Sequence, residues 1–452
     1  MGNYTLECAA CKASYSGLTD SFRLRCDNEP SHGPSLLRTK YDERQLKVRD
    51  DLPGIFKFLD WLPCANISLP LHGKSLPYKS DGLAKHLGLT DLWIAYSGYR
   101  RESDPENLVT RTFKEFEAQA TYARYFSNKL SNGDDITPFI ISSAGNTANA
   151  FIHASHALQV PIYVVIPQSG LSRLRLPEET SAFSIVVKGD YSDAILLADK
   201  IADKTGLMRE GGVKNIARRD GMGTVMLEAV VKRGSLFNHY FQAVGSGSGA
   251  IAAYEAAQRL AKSNQFGDTN TKIHVMQNSP FAPIAEAWQR GSNTIVLDES
   301  KAREHIEQGI APVLTNRNPP YAVAGGLYDV LRASNGSARG MNNRDSVEAL
   351  RIFTHFEGRD IGEAGAVCVA GLIDAVRNNE INANDSVLLH ITGGGITDQY
   401  AQFGKSIEHP ATITVDPYTD DSSLDSIIDT IDKRQPIRAI SKDHINSIIQ
   451  NN

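Results

Sequence analysis

Short apolar runs alternate with helix-forming stretches through the middle of the chain. Residues 137–141, 161–167 and 183–187 are short, apolar and bounded by turn residues, which predicts buried strands. Residues 148–158 and 191–205 are predicted to be helices between and after these strands. Strands that alternate with helices of this length predict parallel β-α-β units with right-handed crossovers.

The same alternation continues in the second half of the chain. It predicts helix 223–233, strand 238–244, helix 250–262, strand 272–276, helices 282–290 and 363–376, and strand 386–391. Upstream, residues 69–77 are predicted to be a loop, 80–87 a short helix and 92–96 a strand. The pattern as a whole predicts a two-lobed α/β protein with parallel-type sheets flanked by helices.

Three units are predicted from this pattern. Residues 1–42 form a small cysteine-containing β element, with short strands at 4–8, 22–26 and 36–41. Residues 43–110 and 235–452 form the larger domain, and residues 111–234 form a smaller, mobile α/β domain. The polar residues after about position 416 are predicted to be peripheral.

A lysine lies near the start of a helix predicted in residues 112–126. Phe113, Phe116 and Ala120 recur at helical spacing, which places one apolar face against a core. Lys114 lies at the edge of that face, where the positive end of the helix dipole favours its neutral, nucleophilic form. Taken alone, Lys114 is a solvated surface lysine, and only the loops downstream suggest another role.

Composition restricts the function more than the fold. The chain has 452 residues, 41% of them apolar and 22% charged, with a net charge of −5. The mild acidity and the lack of a long basic tract argue against nucleic acid as a partner. No apolar run approaches the ~20 residues of a membrane span, and the start of the chain lacks a secretion signal. A cytoplasmic enzyme without a membrane partner is therefore expected.

The odd number of cysteines argues against a disulfide framework; they are Cys8, Cys11, Cys26, Cys64 and Cys368. Cys8 and Cys11 form a Cys-x-x-Cys knuckle, and with Cys26 they resemble a zinc ribbon that has lost one cysteine. His32 is the nearest substitute for the fourth ligand that a tetrahedral zinc needs. Both a structural zinc site and a metal-free remnant fit the spacing, with the remnant slightly favoured, and neither would carry chemistry.

Three predicted strands end in loops rich in glycine and hydroxyl residues, at the edge where open α/β sheets bind ligands. The first is a Gly/Ser loop suited to a dianion, and it consists of Gly245, Ser246, Gly247, Ser248 and Gly249. It lacks the lysine of a Walker loop and the glycine spacing of a dinucleotide-binding loop. As a single motif it is weak evidence, because Gly/Ser loops are common.

The second loop, which we call the Asn loop, precedes a helix and suits a carboxylate; it consists of Ser142, Ser143, Ala144, Gly145, Asn146 and Thr147. Its plainer interpretation is a helix N-cap, with Asn146 or Thr147 as the capping residue. The third loop begins with Thr392 after an apolar strand, and its hydroxyl needs a partner if buried. Together with Lys114, the three loops supply what pyridoxal phosphate requires: a Schiff-base lysine, an anion cup and a group facing the ring nitrogen.

The order of these motifs resembles that of the fold-type II pyridoxal-phosphate enzymes, the threonine synthase and tryptophan synthase β-like proteins. The Cys-x-x-Cys element is similar to the start of archaeal-type threonine synthases. Closer still is the resemblance to the cysteate synthases of coenzyme M biosynthesis, in residues 96–99, 112–118, 215–224 and 238–245. Threonine synthases usually carry Ser-Phe-Lys-Asp-Arg at the lysine, and the Glu115-Phe116 found here argues against threonine synthase itself.

The resemblance implies conversion of O-phospho-L-serine and sulfite to L-cysteate and phosphate, with pyridoxal 5'-phosphate as cofactor. Lys114 would form the Schiff base and act as the base at Cα, while Asn146 would bind the ring hydroxyl. Residues 245–249 would hold the cofactor phosphate, and Thr392 would face the pyridine nitrogen. Ser143, Ala144, Gly145 and Thr147 would bind the substrate.

Both the leaving group and the nucleophile are anions, so the pocket needs cations of its own. The candidates are Arg100, Arg101, Arg111, Arg173, Arg175, Arg218 and Arg219. Arg111, beside the lysine, and the pair Arg218 and Arg219 are favoured.

Two alternatives stay open. Within the same class, the chain could be a threonine synthase or another phosphoserine-dependent β-replacement synthase. From another class, it could be a catalytically silent binding or regulatory protein that kept the fold. Because fold-type II enzymes commonly self-associate, a homo-oligomer is expected.

Overall fold

Three β-sheets organise the chain in a computed structural model that describes residues 4–18, 22–64, 67–100, 106–177, 180–403, 412–416, 420–435 and 437–450. Its strands are β1 (Tyr4–Cys8), β2 (Ser14–Ser16), β3 (Leu37–Tyr41), β4 (Leu76–Lys79), β5 (Asp91–Tyr96), β6 (Phe139–Ser142), β7 (Ile162–Pro167), β8 (Ala182–Val187), β9 (Met208–Arg209), β10 (His239–Ala243), β11 (Lys272–Asn278), β12 (Ser337–Met341), β13 (Ser386–Ile391) and β14 (Ile413–Val415).

The helices in the same residues are α1 (Glu29–His32), α2 (Gly82–Leu87), α3 (Lys114–Asn132), α4 (Asn146–Ala157), α5 (Gln168–Leu171), α6 (Tyr191–Thr205), α7 (Ile216–Arg233), α8 (Ser248–Ser263), α9 (Pro283–Gln289), α10 (Glu299–Gln308), α11 (Leu327–Ala333), α12 (Asn343–Glu357), α13 (Glu363–Arg377), α14 (Ile396–Phe403), α15 (Asp421–Arg434) and α16 (Lys442–Gln450). Short 3₁₀ helices cover Gly54–Trp61, Gly212–Lys214 and Pro312–Leu314. Among the described residues, no helix combines the length and apolarity needed to cross a bilayer.

The larger sheet has the strand order β12-β11-β10-β13-β5-β4. All its pairings are parallel except that of β4, which lies antiparallel at the edge and occupies part of the loop predicted at 69–77. Strand β13 is buried along its whole length, as its largely apolar sequence predicts for a central parallel strand. Because β10 and β13 are parallel neighbours, the Gly/Ser loop and Thr392 leave the sheet at the same edge.

The smaller sheet is parallel throughout, with the strand order β14-β8-β7-β6-β9. Its edge strand β14 comes from residues that the sequence analysis assigned to the larger domain, and that boundary is wrong. The amphipathic helix α15 explains the difference, since Leu424, Ile427 and Ile431 pack into one core with the strands and α6 of the smaller sheet. The polar composition of this tail hid the apolar stripe.

Helices α3, α7 and α8 pack side by side, α7 lying between the other two. Helix α7 begins at Ile216, seven residues earlier than predicted from position 223, and the Asn215 side chain caps it by accepting the Ala217 N–H. Glycine in a helix interior is unfavourable, which is why the sequence pattern underestimated this helix. Gly221 is nevertheless needed, because a Cβ there would overlap the backbone carbonyl of Phe116 in α3.

The N-terminal sheet is antiparallel, with the order β2-β1-β3. The strand predicted at 22–26 does not form, and Ser14–Ser16 pairs with β1 instead. Residues 22–26 are held against α3: the Phe22 ring lies 5.2 Å from the Tyr125 ring, and the Arg23 carbonyl accepts a 3.0 Å hydrogen bond from Arg124. These contacts direct the segment away from the sheet.

Candidate active site

A cavity lies where the strand ends of the two larger sheets meet, and Lys114 is in its wall. The structure brings to this cavity most of the predicted site residues: Lys114, Ser143, Ala144, Gly145, Asn146, Thr147, Arg218, Gly245, Ser246, Gly247, Ser248, Gly249 and Thr392. Tyr191 and Gln242 line it as well and were not predicted. Gln242 carried a sequence signal, since it is a polar residue within an otherwise apolar strand end.

Lys114 is the first residue of α3, directly after Phe113. Its side chain keeps 18% of its surface exposed, and its Nζ lies 4.8 Å from the centre of the Phe113 ring. Burial lowers the pKa of the Lys114 amine, and the neighbouring Glu117 opposes this shift. Burial therefore shifts the Lys114 amine toward its neutral, nucleophilic form, an effect that the sequence analysis attributed to the helix dipole.

Glu117 is the centre of a buried network that the sequence analysis missed. Its Oε2 lies 3.0 Å from Nζ of Lys114 and 3.0 Å from Nε of Arg218, and its Oε1 accepts a 2.7 Å hydrogen bond from the Thr147 hydroxyl. Burial alone would raise the pKa of Glu117, but Arg218 and Lys114 hold it below its usual value. The available signal was its spacing, because residues i and i+3 share a helix face.

The two arginines of the predicted pair have different surroundings. Arg218 lines the cavity between two carboxylates, and its NH1 lies 2.8 Å from Glu210 Oε2. Burial would lower the pKa of Arg218, but Glu117 and Glu210 raise it above its usual range. The structure does not bring Arg219 to the cavity, because its guanidinium is buried and bonded elsewhere: to Glu255, the Val213 carbonyl and the Leu37 carbonyl. The prediction that Arg219 binds substrate is therefore wrong.

In the Asn loop, the side chain that caps the start of α4 is Ser143 and not Asn146 or Thr147, as had been predicted. The Ser143 hydroxyl accepts hydrogen bonds from the N–H groups of Gly145 (3.0 Å) and Ala148 (2.9 Å). The Thr147 hydroxyl is used by Glu117. The Asn146 amide lines the cavity and makes no hydrogen bond to any residue that the structure describes. It is thus available to a bound molecule.

The Gly/Ser loop forms a cup at the N-terminus of α8, a helix of 16 residues. Gly247 has φ of +83°, a conformation that glycine adopts without strain, and the hydroxyl oxygens of Ser246 and Ser248 lie 2.9 Å apart. A Cβ at Gly249 would overlap the Gln242 amide and the Phe113 ring, so this position requires glycine. Backbone N–H groups, hydroxyls and the positive helix end therefore suit a dianion such as a phosphate.

Thr392 and His390 form the wall behind Lys114. The Thr392 carbonyl accepts the Phe113 N–H at 3.1 Å, whereas its hydroxyl has no hydrogen-bond partner within the described ranges. His390 is buried between the hydroxyls of Tyr240 (2.8 Å to Nδ1) and Ser97 (3.2 Å to Nε2). Burial, with Lys114 nearby, lowers the pKa of His390 to about 3, so this wall is uncharged.

A cationic cluster lies beside the Asn loop and consists of Arg111, Arg173 and Arg175. The Arg111 guanidinium is 5.6 Å from the centre of the Tyr400 ring, and Arg175 donates a 3.2 Å hydrogen bond to the Tyr400 hydroxyl. Arg173 donates to the Ala144 carbonyl at 2.9 Å. Hydrogen bonding to Arg175 leads the effects that lower the pKa of Tyr400. Arg111 does not line the cavity itself.

None of the ion pairs among the described residues includes Arg111, Arg173 or Arg175, and the carboxylates of Glu363 and Asp360 act on Arg173 and Arg111 without direct contact. NH1 of Arg111 is buried and has no hydrogen-bond partner in the described part of the chain. Of the other candidates, Arg100 donates to the Glu106 carbonyl at 2.8 Å, and Arg101 lies outside the described residues.

A family model for pyridoxal-phosphate dependent enzymes matches residues 72–393. Maize serine racemase has a TM-score of 0.53 and 14% identity, covering 73% of this chain and 91% of that chain. Diaminopropionate ammonia lyase from Escherichia coli has a TM-score of 0.53 and 16% identity, covering 74% and 89%. The protein is thus a pyridoxal-phosphate dependent enzyme of fold type II, and the predicted fold is confirmed.

Sequence relatives narrow the family further. Cysteate synthase of Methanosarcina mazei is 42% identical over 401 residues, which cover 87% of this chain and 92% of that protein. Cysteate synthase of Methanospirillum hungatei is 43% identical over 397 residues, covering 87% and 90%. The chain belongs to the cysteate synthase family.

Proposed function

We propose that this chain makes L-cysteate and phosphate from O-phospho-L-serine and sulfite. Membership of the cysteate synthase family supports the product. The observation that carries the proposal is the meeting of Lys114, Asn146, the Gly/Ser loop and Thr392 in one cavity. We further propose a cytoplasmic homo-oligomer with small-molecule substrates and neither nucleic acid nor membrane as a partner, which follows from composition and family resemblance.

The residues present fit pyridoxal 5'-phosphate. The cavity offers a lysine amine of lowered pKa, an unpartnered amide, an unpartnered hydroxyl and the Gly/Ser loop at the N-terminus of α8. Lys114 would hold the cofactor covalently, the Gly/Ser loop its phosphate and Asn146 its ring hydroxyl, with Thr392 facing the ring nitrogen. When bound, the cofactor supplies an electron sink that stabilises a carbanion at Cα of the substrate.

Lys114 would also move the proton. When the substrate amine takes its place, the released Lys114 amine takes the proton from Cα and later returns it. Burial favours the neutral amine needed for this step, while Glu117 holds Nζ at a fixed position 3.0 Å away. The bond from Cβ to the phosphate oxygen breaks and phosphate leaves with the electron pair. The sulfur lone pair of sulfite then forms the new Cβ–S bond.

The cationic cluster is proposed to receive the two anions. Arg218 faces the cavity but is already balanced by two carboxylates, Glu117 and Glu210. Arg111 and Arg175 have no such partner among the described residues, and NH1 of Arg111 is buried without a hydrogen bond. A guanidinium in that state binds the oxygens of a phosphate or sulfite strongly, because both partners are charged. We therefore assign the leaving phosphate and the incoming sulfite to Arg111 and Arg175.

The cofactor is tested by absorption spectroscopy. The purified protein with pyridoxal phosphate should show a visible or near-ultraviolet band that Lys114→Ala abolishes. Lys129→Ala is the matched control, since Lys129 lies on the same helix and pairs with Asp134 at its far end. A wild-type protein that gains no band would contradict the cofactor assignment.

The reaction is tested by supplying O-phosphoserine with sulfite, with sulfide or with water alone, and identifying the amino acid formed. Cysteate formed with sulfite is the expected result. Product with sulfide and none with sulfite would instead indicate another phosphoserine-dependent synthase. If the protein binds the cofactor but forms no product from O-phosphoserine with sulfite, sulfide or water, it would instead be a catalytically inactive binding or regulatory protein with this fold.

A further inference from the structure

Three cysteines and one histidine converge in the N-terminal sheet, far along the chain from the active-site residues. Cys8 ends β1, Cys11 follows in the turn, Cys26 precedes α1, and His32 ends α1. One ligand atom from each of the four side chains lies within 4.8 Å of every other. The sequence left the fourth ligand open, and the structure places His32 in that position.

The separations fit a tetrahedron around a single ion. With zinc–sulfur bonds of about 2.3 Å and zinc–nitrogen bonds of about 2.0 Å, neighbouring ligand atoms lie roughly 3.5–3.8 Å apart. Sγ of Cys8 lies 3.7 Å from Nε2 of His32, and Sγ of Cys11 lies 3.6 Å from Sγ of Cys26. The latter separation is too long for a disulfide, whose sulfurs are about 2.05 Å apart.

The histidine is oriented as a ligand. Nδ1 of His32 lies 2.8 Å from the backbone carbonyl of Gly33, an acceptor that requires the proton on Nδ1. Nε2 is then left with its lone pair, and this is the atom that lies near Cys8 Sγ. Metal-binding histidines are typically fixed by a hydrogen bond of this kind from the other ring nitrogen.

The sulfurs are also surrounded by donors that stabilise thiolates. The backbone N–H of Cys11 points to Sγ of Cys8 at 3.5 Å, and that of Asn28 points to Sγ of Cys26 at 3.4 Å. The Tyr15 hydroxyl lies 3.1 Å from Sγ of Cys26. Such outer contacts hold the ligands of metal sites in place and disperse the charge of the sulfurs.

We propose that Cys8, Cys11, Cys26 and His32 bind one Zn²⁺ ion in a tetrahedral structural site. Three sulfurs and one imidazole complete the four positions that zinc prefers and leave none for a substrate, so the site is structural. None of the four residues lines the active-site cavity. Three thiolates favour zinc over harder cations such as magnesium or calcium.

The zinc site would hold the N-terminal sheet against the two helices that carry the active-site charges. Arg124 of α3 donates to the Arg23 carbonyl at 3.0 Å, and Arg219 of α7 donates to the Leu37 carbonyl. Helix α3 begins with Lys114, and Arg218 directly precedes Arg219. Both arginines are buried, so a shift of the N-terminal sheet that removes these carbonyls would leave buried guanidinium N–H groups without acceptors, which is destabilising.

The test uses the full-length, cofactor-loaded protein and does not depend on a variant. Metal analysis should find about one zinc per chain, and Co²⁺ replacing the zinc should give the thiolate charge-transfer and tetrahedral d–d bands. A chelator that strips the metal should lower the unfolding temperature, and zinc should restore it. Protein that contains no zinc and takes up no Co²⁺, or that carries a Cys11–Cys26 disulfide, would overturn the proposal.

Variants assign the ligands. His32→Ala should lower zinc content or affinity at least about tenfold, whereas His32→Cys should restore it because four thiolates also suit zinc. Cys368→Ala is the control, since Cys368 is buried in the larger sheet's core, and its zinc content should be unchanged. Full zinc content and unchanged affinity in His32→Ala would remove His32 from the site.

Discussion

Lys114 and Glu117 form an ion pair one helical turn apart, with 3.0 Å between Nζ and Oε2. The same carboxylate oxygen lies 3.0 Å from Nε of Arg218, so one fully buried carboxylate holds two cations. The amine that is expected to bind the cofactor is therefore positioned by its own helix. Helix α7 supplies the second cation, which couples the position of that amine to the packing of α7 on α3.

Replacing Glu117 with glutamine should affect both charge and stability. The pKa of Lys114 should fall further, because burial and Arg218 still lower it while the opposing carboxylate is gone. Leaving buried cations without their partner should cost about 3 kcal/mol of unfolding free energy. A pH titration of the rate at which the cofactor-free protein forms the Schiff base with added pyridoxal phosphate measures the first effect, and urea unfolding measures the second. Glu210→Gln removes a carboxylate that bonds Arg218 and acts less strongly than Glu117 on the Lys114 pKa, so it should destabilise while moving that titration less. An unmoved titration in Glu117→Gln would contradict the coupling of Glu117 to Lys114.

Replacing Arg111 with alanine should weaken binding of O-phosphoserine. Loss of a charge-assisted hydrogen bond worth about 1.5–3 kcal/mol should raise KM roughly 10- to 100-fold, with a smaller change in kcat. Arg111→Lys should recover part of the loss, since it restores the charge without the fork of donors. Steady-state kinetics would check this against Arg209→Ala, a change at an exposed arginine paired with Asp199. Equal KM values in the two alanine variants would exclude Arg111 from the anion site.

Thr392→Asp should change which products form. A carboxylate facing the ring nitrogen would keep that nitrogen protonated, and the stronger electron sink should favour transamination over replacement at Cβ. The ratio of keto-acid side products to cysteate should therefore rise, whereas Thr392→Ser should preserve the wild-type ratio. An unaltered ratio in Thr392→Asp would argue against this position for Thr392.

Glu115 should make stability depend on pH. Its Oε1 accepts hydrogen bonds from the N–H (2.6 Å) and hydroxyl (2.8 Å) of Thr110, yet burial raises its pKa from 4.5 to about 7. Between pH 4.5 and about pH 7, the folded state thus keeps a proton on Glu115 that the unfolded state releases. The free energy of unfolding therefore falls as the pH rises through this range. Between about pH 4 and pH 8, the wild type should lose about 3 kcal/mol more unfolding free energy than Glu115→Gln, which denaturant unfolding at the two pH values would measure. A difference that is constant with pH would refute this.

Gly221→Ala should separate α7 from α3. The added Cβ would overlap the Phe116 carbonyl, and relief of that overlap would draw Arg218 away from Glu117. We expect a loss of about 1–3 kcal/mol in unfolding free energy, together with weaker cofactor binding. Gly223→Ala is the matched control on the same helix. The atom nearest to a Cβ added there is the Ala252 carbonyl oxygen, at 3.2 Å, so the new methyl group has more room than at Gly221. Denaturant titrations that find both variants equally stable would contradict the close contact.

Elements with strong local signals were predicted from the sequence to the residue. Helix α6 has the predicted bounds, since Asp190 and Asp193 form a capping box at its start and Gly206 is left-handed at its end. Strand β13 also has its predicted bounds, because its largely apolar run begins after the mostly polar residues 382–385 and ends at the glycine-rich turn after Thr392. The loops of the site were found for a related reason: each follows such a strand directly.

Features that depend on distant residues could not be read from the sequence. The Glu117–Arg218 pair joins two helices, and the pattern along either helix gives no sign of it. Arg219 follows Arg218, but one turns to the cavity and the other to the N-terminal sheet, a difference set by packing alone. Arg317 likewise donates a 2.6 Å hydrogen bond to Asp190, 127 positions earlier in the chain, and no local pattern predicts this contact.

Strand β14 has a consequence for how the chain is synthesised. Ile413 pairs with Ile185, so the outer edge of β8 is exposed for as long as the intervening residues are being translated. An apolar edge strand with open backbone groups is a template for pairing with other chains. A nascent chain stalled before residue 413 therefore carries an open strand edge, and emergence of residues 413–415 from the ribosome, rather than completion of the active site, closes it.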